Sequence, residues 1–157
     1  MGKIRKLDAC CKAAGLIALA FGLISCNLPR VLILHDPLTP EEHINLGVAY
    51  EKQGDLDGAL KEYKAAAEGA PVAYLYMGNV YFQKGDFDQA ERYYKRAIRK
   101  TDAPRAYNNL AWLYYTKGTN LQEAEGLARE ALERAPDAED FKDTLKRILE
   151  RRALEKR

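Results

Sequence analysis

The two histidines are the first residues to consider for chemistry, because imidazole can bind a metal ion or act as a general base. His35 lies in a short segment of prolines and aliphatic residues, and His43 follows Glu41 and Glu42. A metal site needs several ligands that converge on one point, and this small cluster does not indicate such a site. We therefore predict that neither histidine binds a metal.

Catalytic motifs are equally sparse. No Ser/His/Asp arrangement, phosphate-binding loop or Cys-x-x-Cys pair is recognisable in the 157 residues. Adjacent carboxylates occur at Glu41-Glu42 and at Glu139-Asp140. Paired acidic residues are more typical of helix starts, where they interact favourably with the helix dipole, than of acid/base pairs. The sequence predicts a protein that is not an enzyme and that needs no cofactor.

The first 25 residues differ in composition from the rest of the chain. A basic start with Lys3, Arg5, Lys6 and Lys12 is followed by an apolar segment over residues 13–24. This segment is shorter than the roughly 20 apolar residues that a membrane-spanning helix needs. A basic region followed by a short apolar region indicates a secretory signal. An N-terminal anchor that is not cleaved is the alternative.

The end of this apolar segment, Leu23-Ile24-Ser25-Cys26, resembles the lipobox of bacterial lipoproteins. The resemblance implies that residues 1–25 are a lipoprotein signal peptide and that Cys26 becomes the lipidated mature N-terminus, with acyl chains such as palmitate. Two or more acyl chains anchor a protein stably in a membrane, whereas one is marginal. Asn27 follows Cys26, where the inner-membrane retention signal of this family usually has Asp. The resemblance therefore favours the outer membrane, with the protein facing the periplasm.

Cleavage before Cys26 would also change the cysteine count and the charge. Cys10 and Cys11 would leave with the signal, so no thiol would remain for a disulfide or a nucleophile. Four basic residues and one acidic residue would leave too, so the formal net charge would fall from +2 to about −1. Nothing in this balance indicates a nucleic-acid partner. The prolines and the apolar residues 31–34 predict a tether over residues 26–38.

A motif of small and aromatic residues recurs three times in the remaining chain, with a period of roughly 30–34 residues. Such a period is typical of stacked helical repeats, which present binding surfaces and rarely host chemistry. Each copy has a Gly or Ala three residues before a tyrosine, and two later alanines that face a helix. The copies are Gly47, Tyr50, Ala59 and Ala66; Gly78, Tyr81, Ala90 and Ala97; and Ala111, Tyr114, Ala124 and Ala131.

Helix boundaries are marked at matching places in each copy. Thr39, Pro40 and Glu42 form a capping-box pattern that predicts the start of the first helix. Within each copy, a glycine suited to a left-handed helix end is followed by an N-cap residue that starts the next helix. These turns are Gly54-Asp55, Gly85-Asp86 and Gly118 to Asn120.

Each copy resembles a tetratricopeptide repeat, whose consensus has large or small residues at eight fixed positions. The copies depart from it at His43, Asp102 and Ala128, and the third has one inserted residue. The resemblance implies an all-α fold in which three TPR helical hairpins form a right-handed superhelical solenoid. The predicted segments are 39–136 for the repeats (about 40–70, 71–103 and 104–136) and 137–157 for a capping helix and a charged tail. The capping helix carries Phe141, Leu145, Ile148 and Leu149 on one face.

The departures from the family pattern give three local predictions. His43 stands where a residue usually packs between the helices, so we expect a core histidine. Ala128 replaces a large residue, so we expect a loosely packed third hairpin. Gly47 and Gly78 are 31 residues apart against the usual 34 of the family, so we expect a shortened link at residues 69–71.

The family resemblance also predicts a partner-binding groove, because tetratricopeptide repeats line their concave surface mainly with the first helix of each hairpin. Aromatic residues with an arginine are typical anchors of protein interfaces. The alternative is that neighbouring repeats or the tether residues 31–34 cover these side chains. The predicted groove residues are Ile44, Val48, Leu75, Asn79, Phe82, Gln83, Arg105, Asn108, Trp112 and Tyr115.

Together these patterns predict a membrane-anchored interaction scaffold or assembly factor of the bacterial envelope, which serves secretion, pilus or polysaccharide-export machinery. Its partner would be a protein or peptide. A chaperone-type carboxylate clamp is not indicated, because Ile44 and Val48 are apolar where a clamp has polar residues. The alternative function is that of an accessory subunit or detached relative of a repeat-linked papain-like (C39-type) peptidase, because residues 35–51 resemble such junctions. The sequence makes no prediction of oligomeric state.

Overall fold

The computed structural model of the protein describes residues 36–155. Contacts divide the chain into one unit of residues 1–36 and another of residues 37–157. The predicted signal peptide, the lipobox with Cys26 and most of the tether lie outside the described residues. Within those residues, no helix is both long enough and apolar enough to cross a membrane.

The described part of the chain is all-α, as predicted, and contains seven helices and no strand. Consecutive helices pair as three hairpins, and the last helix packs against the third hairpin. The helices are α1 (Pro40–Lys52), α2 (Leu56–Ala66), α3 (Ala73–Gln83), α4 (Phe87–Thr101), α5 (Pro104–Lys117), α6 (Leu121–Arg134) and α7 (Glu139–Glu155).

The predicted capping box starts α1. The Thr39 hydroxyl accepts a hydrogen bond from the Glu42 amide at 3.2 Å, and the Glu42 carboxylate accepts one from the Thr39 amide at 2.7 Å. Pro40 occupies the first helical position, where its missing N–H leaves no donor unsatisfied. This exchange satisfies two backbone donors that the start of a helix otherwise exposes.

The first two hairpin turns have the predicted geometry, and the third differs. Gly54 and Gly85 have positive φ, and Asp55 and Asp86 cap the following helices through side-chain hydrogen bonds. In the third turn Gly118 is left-handed as predicted, but Asn120 is left-handed too, with φ 53°, and its side chain makes no capping bond. The inserted residue therefore changes how α6 begins, so the three turns are not equivalent.

The link between the first and second hairpins is not shortened, contrary to the sequence-based expectation. Residues 67–72 are all non-helical, whereas only residues 102 and 103 separate α4 from α5. The helices beside the first link are the short ones, with 11 residues each in α2 and α3. Gly69 and Pro71 explain this, because glycine weakens a helix and proline ends one.

The core consists of alanines and tyrosines where hairpin helices cross. A Cβ on Gly47 would come within 2.5 Å of the Tyr63 ring, and one on Gly78 within 2.5 Å of the Tyr94 ring. Both rings are buried. In the third hairpin Ala111 and Ala128 are also fully buried. The six alanines that the repeat pattern assigned to the core have no exposed surface; they are Ala59, Ala66, Ala90, Ala97, Ala124 and Ala131.

Helix α7 closes the third hairpin with part of its predicted face. Phe141 and Ile148 are buried, whereas Leu149 is 40% exposed because it lies a third of a turn away from that stripe. Residues 150–155, which the sequence places in the charged tail, continue the helix. Arg152 explains this extension, since its guanidinium forms an ion pair with the buried Glu125 of α6.

Candidate functional site

Two adjoining hollows lie along α1, α3 and α5, and together they are called the inner groove here. The first has a volume of about 310 Å³ and the second about 390 Å³. They share Glu51, Asn79 and Gln83. The first is also lined by Phe82, Tyr94, Arg105, Asn109 and Trp112, and the second by Val48, Lys52 and Tyr76.

The structure brings six of the ten sequence-predicted residues to the inner groove. The four others do not line it: Leu75 and Asn108 are buried in the protein, and Ile44 and Tyr115 are half-buried. The six residues that line it are Val48, Asn79, Phe82, Gln83, Arg105 and Trp112.

Five lining residues are not among the ten predicted groove residues. Two of them, Glu51 and Lys52, lie on the same helix face as Val48, one turn further along α1, where the repeat positions that line the concave surface also fall. Tyr94 belongs to the second helix of its hairpin, whereas the groove residues were predicted mainly from the first helix of each hairpin. The remaining two are Tyr76 and Asn109.

Neighbouring aromatic rings hold the walls of the inner groove in place. Trp112 stacks on Tyr115, with 5.0 Å between ring centroids, and Phe82 packs against Phe87 at 5.4 Å. Helix α7 covers Tyr115, because the Arg151 guanidinium lies over its ring and donates to its backbone oxygen at 2.6 Å. Tyr115 therefore supports Trp112 from behind.

The floor of the inner groove carries an ordered pair of amides. The Tyr94 hydroxyl and the Asn109 amide nitrogen both donate to Asn79 Oδ1, at 3.0 and 2.8 Å. Burial raises the pKa of the Tyr94 phenol, so this group remains a hydrogen-bond donor at neutral pH. These two bonds occupy both lone pairs of Asn79 Oδ1 and leave its amino group to donate to a ligand.

Glu51 supplies a carboxylate to both hollows. It accepts a hydrogen bond from the Tyr63 hydroxyl at 2.9 Å and another from the Gln83 amide. Burial and the nearby Glu51 carboxylate raise the pKa of Tyr63, which keeps the phenol as the donor of this pair. Across residues 36–155, no lysine or arginine forms an ion pair with Glu51.

Arg105 contributes a charge that is already balanced. Its guanidinium lies 3.0 Å from Asp140 Oδ2 and over the ring of Phe141, both on α7. Both charged side chains are more than half exposed, so the pair contributes little to stability. In the groove, Asp140 neutralises Arg105, which is the one cation that lines the first hollow.

Two other sequence candidates for chemistry, His43 and the adjacent carboxylates Glu41 and Glu42, have structural roles in the repeats. His43 lies in the core, as predicted, and its Nδ1 is 2.8 Å from Oε2 of the buried Glu62. Glu41 and Glu42 lie in the first turn of α1. Among residues 36–155, no group of three His, Cys, Asp or Glu side chains is arranged to hold a metal ion.

A separate hollow of about 280 Å³ lies between α2, α3 and α4, and the sequence did not indicate it. The Arg96 guanidinium lies 4.1 Å from the ring centroid of Tyr74 at its edge. Lys64 and Glu68 add one charge of each sign. The charges at this hollow are therefore mixed.

Comparison with solved structures shows the same fold in domains from several sources. The first TPR domain of Spaghetti (RPAP3), bound to the HSP90 peptide SRMEEVD, is 23% identical with a TM-score of 0.67, over 77% of this chain and 98% of that one. The Arabidopsis OM64 TPR domain is 21% identical with a TM-score of 0.64, over 71% and 95%. A tetratricopeptide repeat protein from Parabacteroides merdae is 21% identical with a TM-score of 0.65, over 75% of this chain and 47% of that one.

Sequence comparison points to the same family. No curated protein matches the chain. Two family models, both described as tetratricopeptide repeat, match residues 40–68 and 75–139, which together are more than half of the chain. With three helical hairpins and small residues where their helices cross, the chain belongs to the tetratricopeptide repeat family.

Proposed function

We propose that this protein is an interaction scaffold that binds a protein or peptide partner in the inner groove. The observation that carries the proposal is the first hollow, where Phe82 and Trp112 form aromatic walls beside the ordered amides of Asn79 and Asn109. Aromatic anchors surrounded by polar groups are typical of protein-binding sites. The Spaghetti domain, which has the same fold, was solved with a peptide.

We further propose that the scaffold is anchored in a bacterial membrane through lipidated Cys26. The support is the sequence pattern of residues 1–26, which lies outside the described residues. In this proposal the outer membrane holds the repeats in the periplasm, where they bind a component during assembly of a secretion, pilus or polysaccharide-export machine.

The groove is tested by capturing partners in cells with the full chain and with Phe82→Ala and Trp112→Ala variants. The matched control is Leu154→Ala, which removes an apolar side chain that is 69% exposed on α7. We expect crosslinked partners to be lost from both groove variants and retained by the control, while circular dichroism shows an intact fold. If both groove variants capture the same partners as the full chain, the inner groove is not the binding site.

The anchor is tested separately by metabolic labelling with palmitate and by membrane fractionation. We expect Cys26→Ala to lose the label, and a Cys10→Ala/Cys11→Ala double variant to keep it because those residues leave with the signal. Label that remains on Cys26→Ala would contradict lipidation at this residue. Unlabelled Cys26→Ala that stays in membranes, together with unlabelled wild type, would instead favour an uncleaved anchor.

A further inference from the structure

We infer that the inner groove selects partners that insert a lysine or arginine side chain between Phe82 and Trp112 toward the carboxylate of Glu51. The inference rests on the proposed function, because it specifies the chemistry of a ligand for the same groove. It follows from the charges of the groove, from its aromatic walls and from its free hydrogen-bonding groups.

Glu51 provides the charge. Its carboxylate is half-buried, and its two hydrogen-bond donors, the Tyr63 hydroxyl and the Gln83 amide, are neutral. Each carboxylate oxygen therefore retains a lone pair for a further donor. A partly desolvated anion that has only neutral partners is stabilised when a cation approaches it.

The other charges near the groove do not offset Glu51. Arg105 is paired with Asp140 and lies over Phe141. Lys52 lines only the second hollow, is exposed, and forms no ion pair with Glu51 in the structure of residues 36–155. The first hollow therefore presents one uncompensated charge, and that charge is negative.

The aromatic walls suit a cation with a long apolar stem. Tryptophan is the strongest aromatic partner of lysine and arginine in cation–π contacts, and phenylalanine also contributes. Tyr115 and Phe87 fix the orientations of Trp112 and Phe82, so little side-chain entropy is lost when a ligand binds. A hollow of about 310 Å³ accommodates the methylene stem and head group of one such residue.

The amides of the groove floor would bind the peptide backbone beside that anchor. Within residues 36–155 the Asn79 amino group has no acceptor and Asn109 Oδ1 has no donor, so the first can donate to a ligand carbonyl and the second can accept from a ligand amide. An acidic peptide is disfavoured in the first hollow, since its carboxylates would meet Glu51 there, and Arg105 is already engaged by Asp140. This selectivity is opposite in sign to the acidic peptide bound to the Spaghetti domain.

The test is a selection of random 12-residue peptides, displayed on phage, against the full chain in mild detergent. Parallel selections use Glu51→Gln, which keeps the size and one of the two acceptor oxygens and removes the charge, and the control Glu133→Gln, which changes an exposed carboxylate of α6. We expect wild type and control to enrich peptides with a lysine or arginine at one constant position. We expect the Glu51→Gln selection to lose that preference.

The selected peptides are then synthesised with lysine or with norleucine at the anchor position. Norleucine keeps the stem and lacks the ammonium, so we expect it to bind wild type about tenfold or more weakly. The Glu51→Gln protein should bind the lysine and norleucine peptides with equal affinity. If the role of Glu51 were purely structural, Glu51→Gln would weaken the binding of both peptides by the same factor and the preference for lysine would remain.

The outcomes separate this inference from the proposed function. Enriched peptides that bind in a Trp112-dependent manner without a basic anchor, or with an acidic one, would overturn the inference and leave the groove in place. Peptides that bind Trp112→Ala as well as wild type, or a selection with no enrichment, would overturn both.

Discussion

The ring of Tyr63 occupies the space that a side chain at Gly47 would need. A Cβ on Gly47 would lie 2.5 Å from Tyr63 Cε1, and Gly78 has the same relation to Tyr94 in the next hairpin. Glycine is a poor helix former, so these positions sacrifice local helix stability. The close approach of the two helices, with a buried tyrosine between them, offsets that loss.

We expect Gly47→Ala to lower the free energy of unfolding by about 2 kcal/mol, because overpacking a filled core outweighs the gain in helix propensity. Urea denaturation of the variant measures this change.

Gly126→Ala is the matched control, since Gly126 is exposed within α6 and nothing lies within 4 Å of a Cβ there. The same substitution should raise the free energy of unfolding by up to about 1 kcal/mol. Equal effects at the two positions would contradict the close-packing argument.

Features with local causes could be predicted from the sequence. The Thr39 capping box, the left-handed Gly54 and the burial of the repeat alanines follow from residue types at fixed spacing. The six-residue link after α2 could not be predicted, because the period alone does not show whether missing residues come from a helix or from a link. The left-handed Asn120 likewise depends on how the third turn absorbs one extra residue.

Glu91 makes the stability of the protein sensitive to acid. Burial alone would raise the pKa of Glu91, but hydrogen bonds from Lys95 at 2.8 Å and Tyr114 at 2.9 Å outweigh burial and lower this pKa below its usual 4.5. Because the folded-state pKa is lowered, the stabilisation is present above about pH 4.5 and disappears as the pH falls through the folded-state value.

We therefore expect Glu91→Gln to lower the free energy of unfolding by about 1 kcal/mol at pH 7 and to have little effect near pH 3. Urea denaturation between pH 3 and pH 7 measures the change in the free energy of unfolding. The control Glu133→Gln should leave this free energy unchanged at both pH values. A loss from Glu91→Gln that is independent of pH would show that the carboxylate charge is not responsible.

The buried pair of His43 and Glu62 connects α1 to α2. Removing one member of such a pair deprives the other, buried member of this hydrogen bond and is more damaging than removing both. We expect Glu62→Ala to cost about 2 kcal/mol, and the double variant with His43→Ala to cost less than the sum of the single variants. A double-mutant cycle with a coupling energy below about 0.5 kcal/mol would contradict this account.

Helix α7 should contribute to stability through Ile148 rather than through its neighbour Leu149. Ile148 is fully buried and Leu149 is 40% exposed. We expect Ile148→Ala to lower the free energy of unfolding by about 3 kcal/mol and Leu149→Ala by less than about 1 kcal/mol. Thermal and urea unfolding measure both. Similar small effects would mean that α7 does not form part of the cooperative fold.

The groove could be predicted only in part, for reasons that its residues illustrate. Repeat positions identify the helix face that holds Asn79, Phe82 and Trp112. They do not show which edge of that face is covered, and α7 packs over Tyr115 there. Tyr94 contributes to the groove through its hydroxyl, which donates a hydrogen bond to Asn79 on the neighbouring helix. Repeat spacing could not predict this contact, because it indicates only where the aromatic ring packs.

The fluorescence of Trp112 tests peptide binding in the inner groove most directly, because this residue is the single tryptophan of the chain. The full chain is titrated with a selected peptide while emission is excited where tyrosine does not absorb, and calorimetry measures binding in parallel. We predict a saturable change in Trp112 emission whose midpoint concentration equals that of the calorimetric titration. In Phe82→Ala, with its fold intact, we predict that both the emission change and the heat of binding are lost. Calorimetric binding with unchanged Trp112 emission, and equal affinity in Phe82→Ala, would contradict the account.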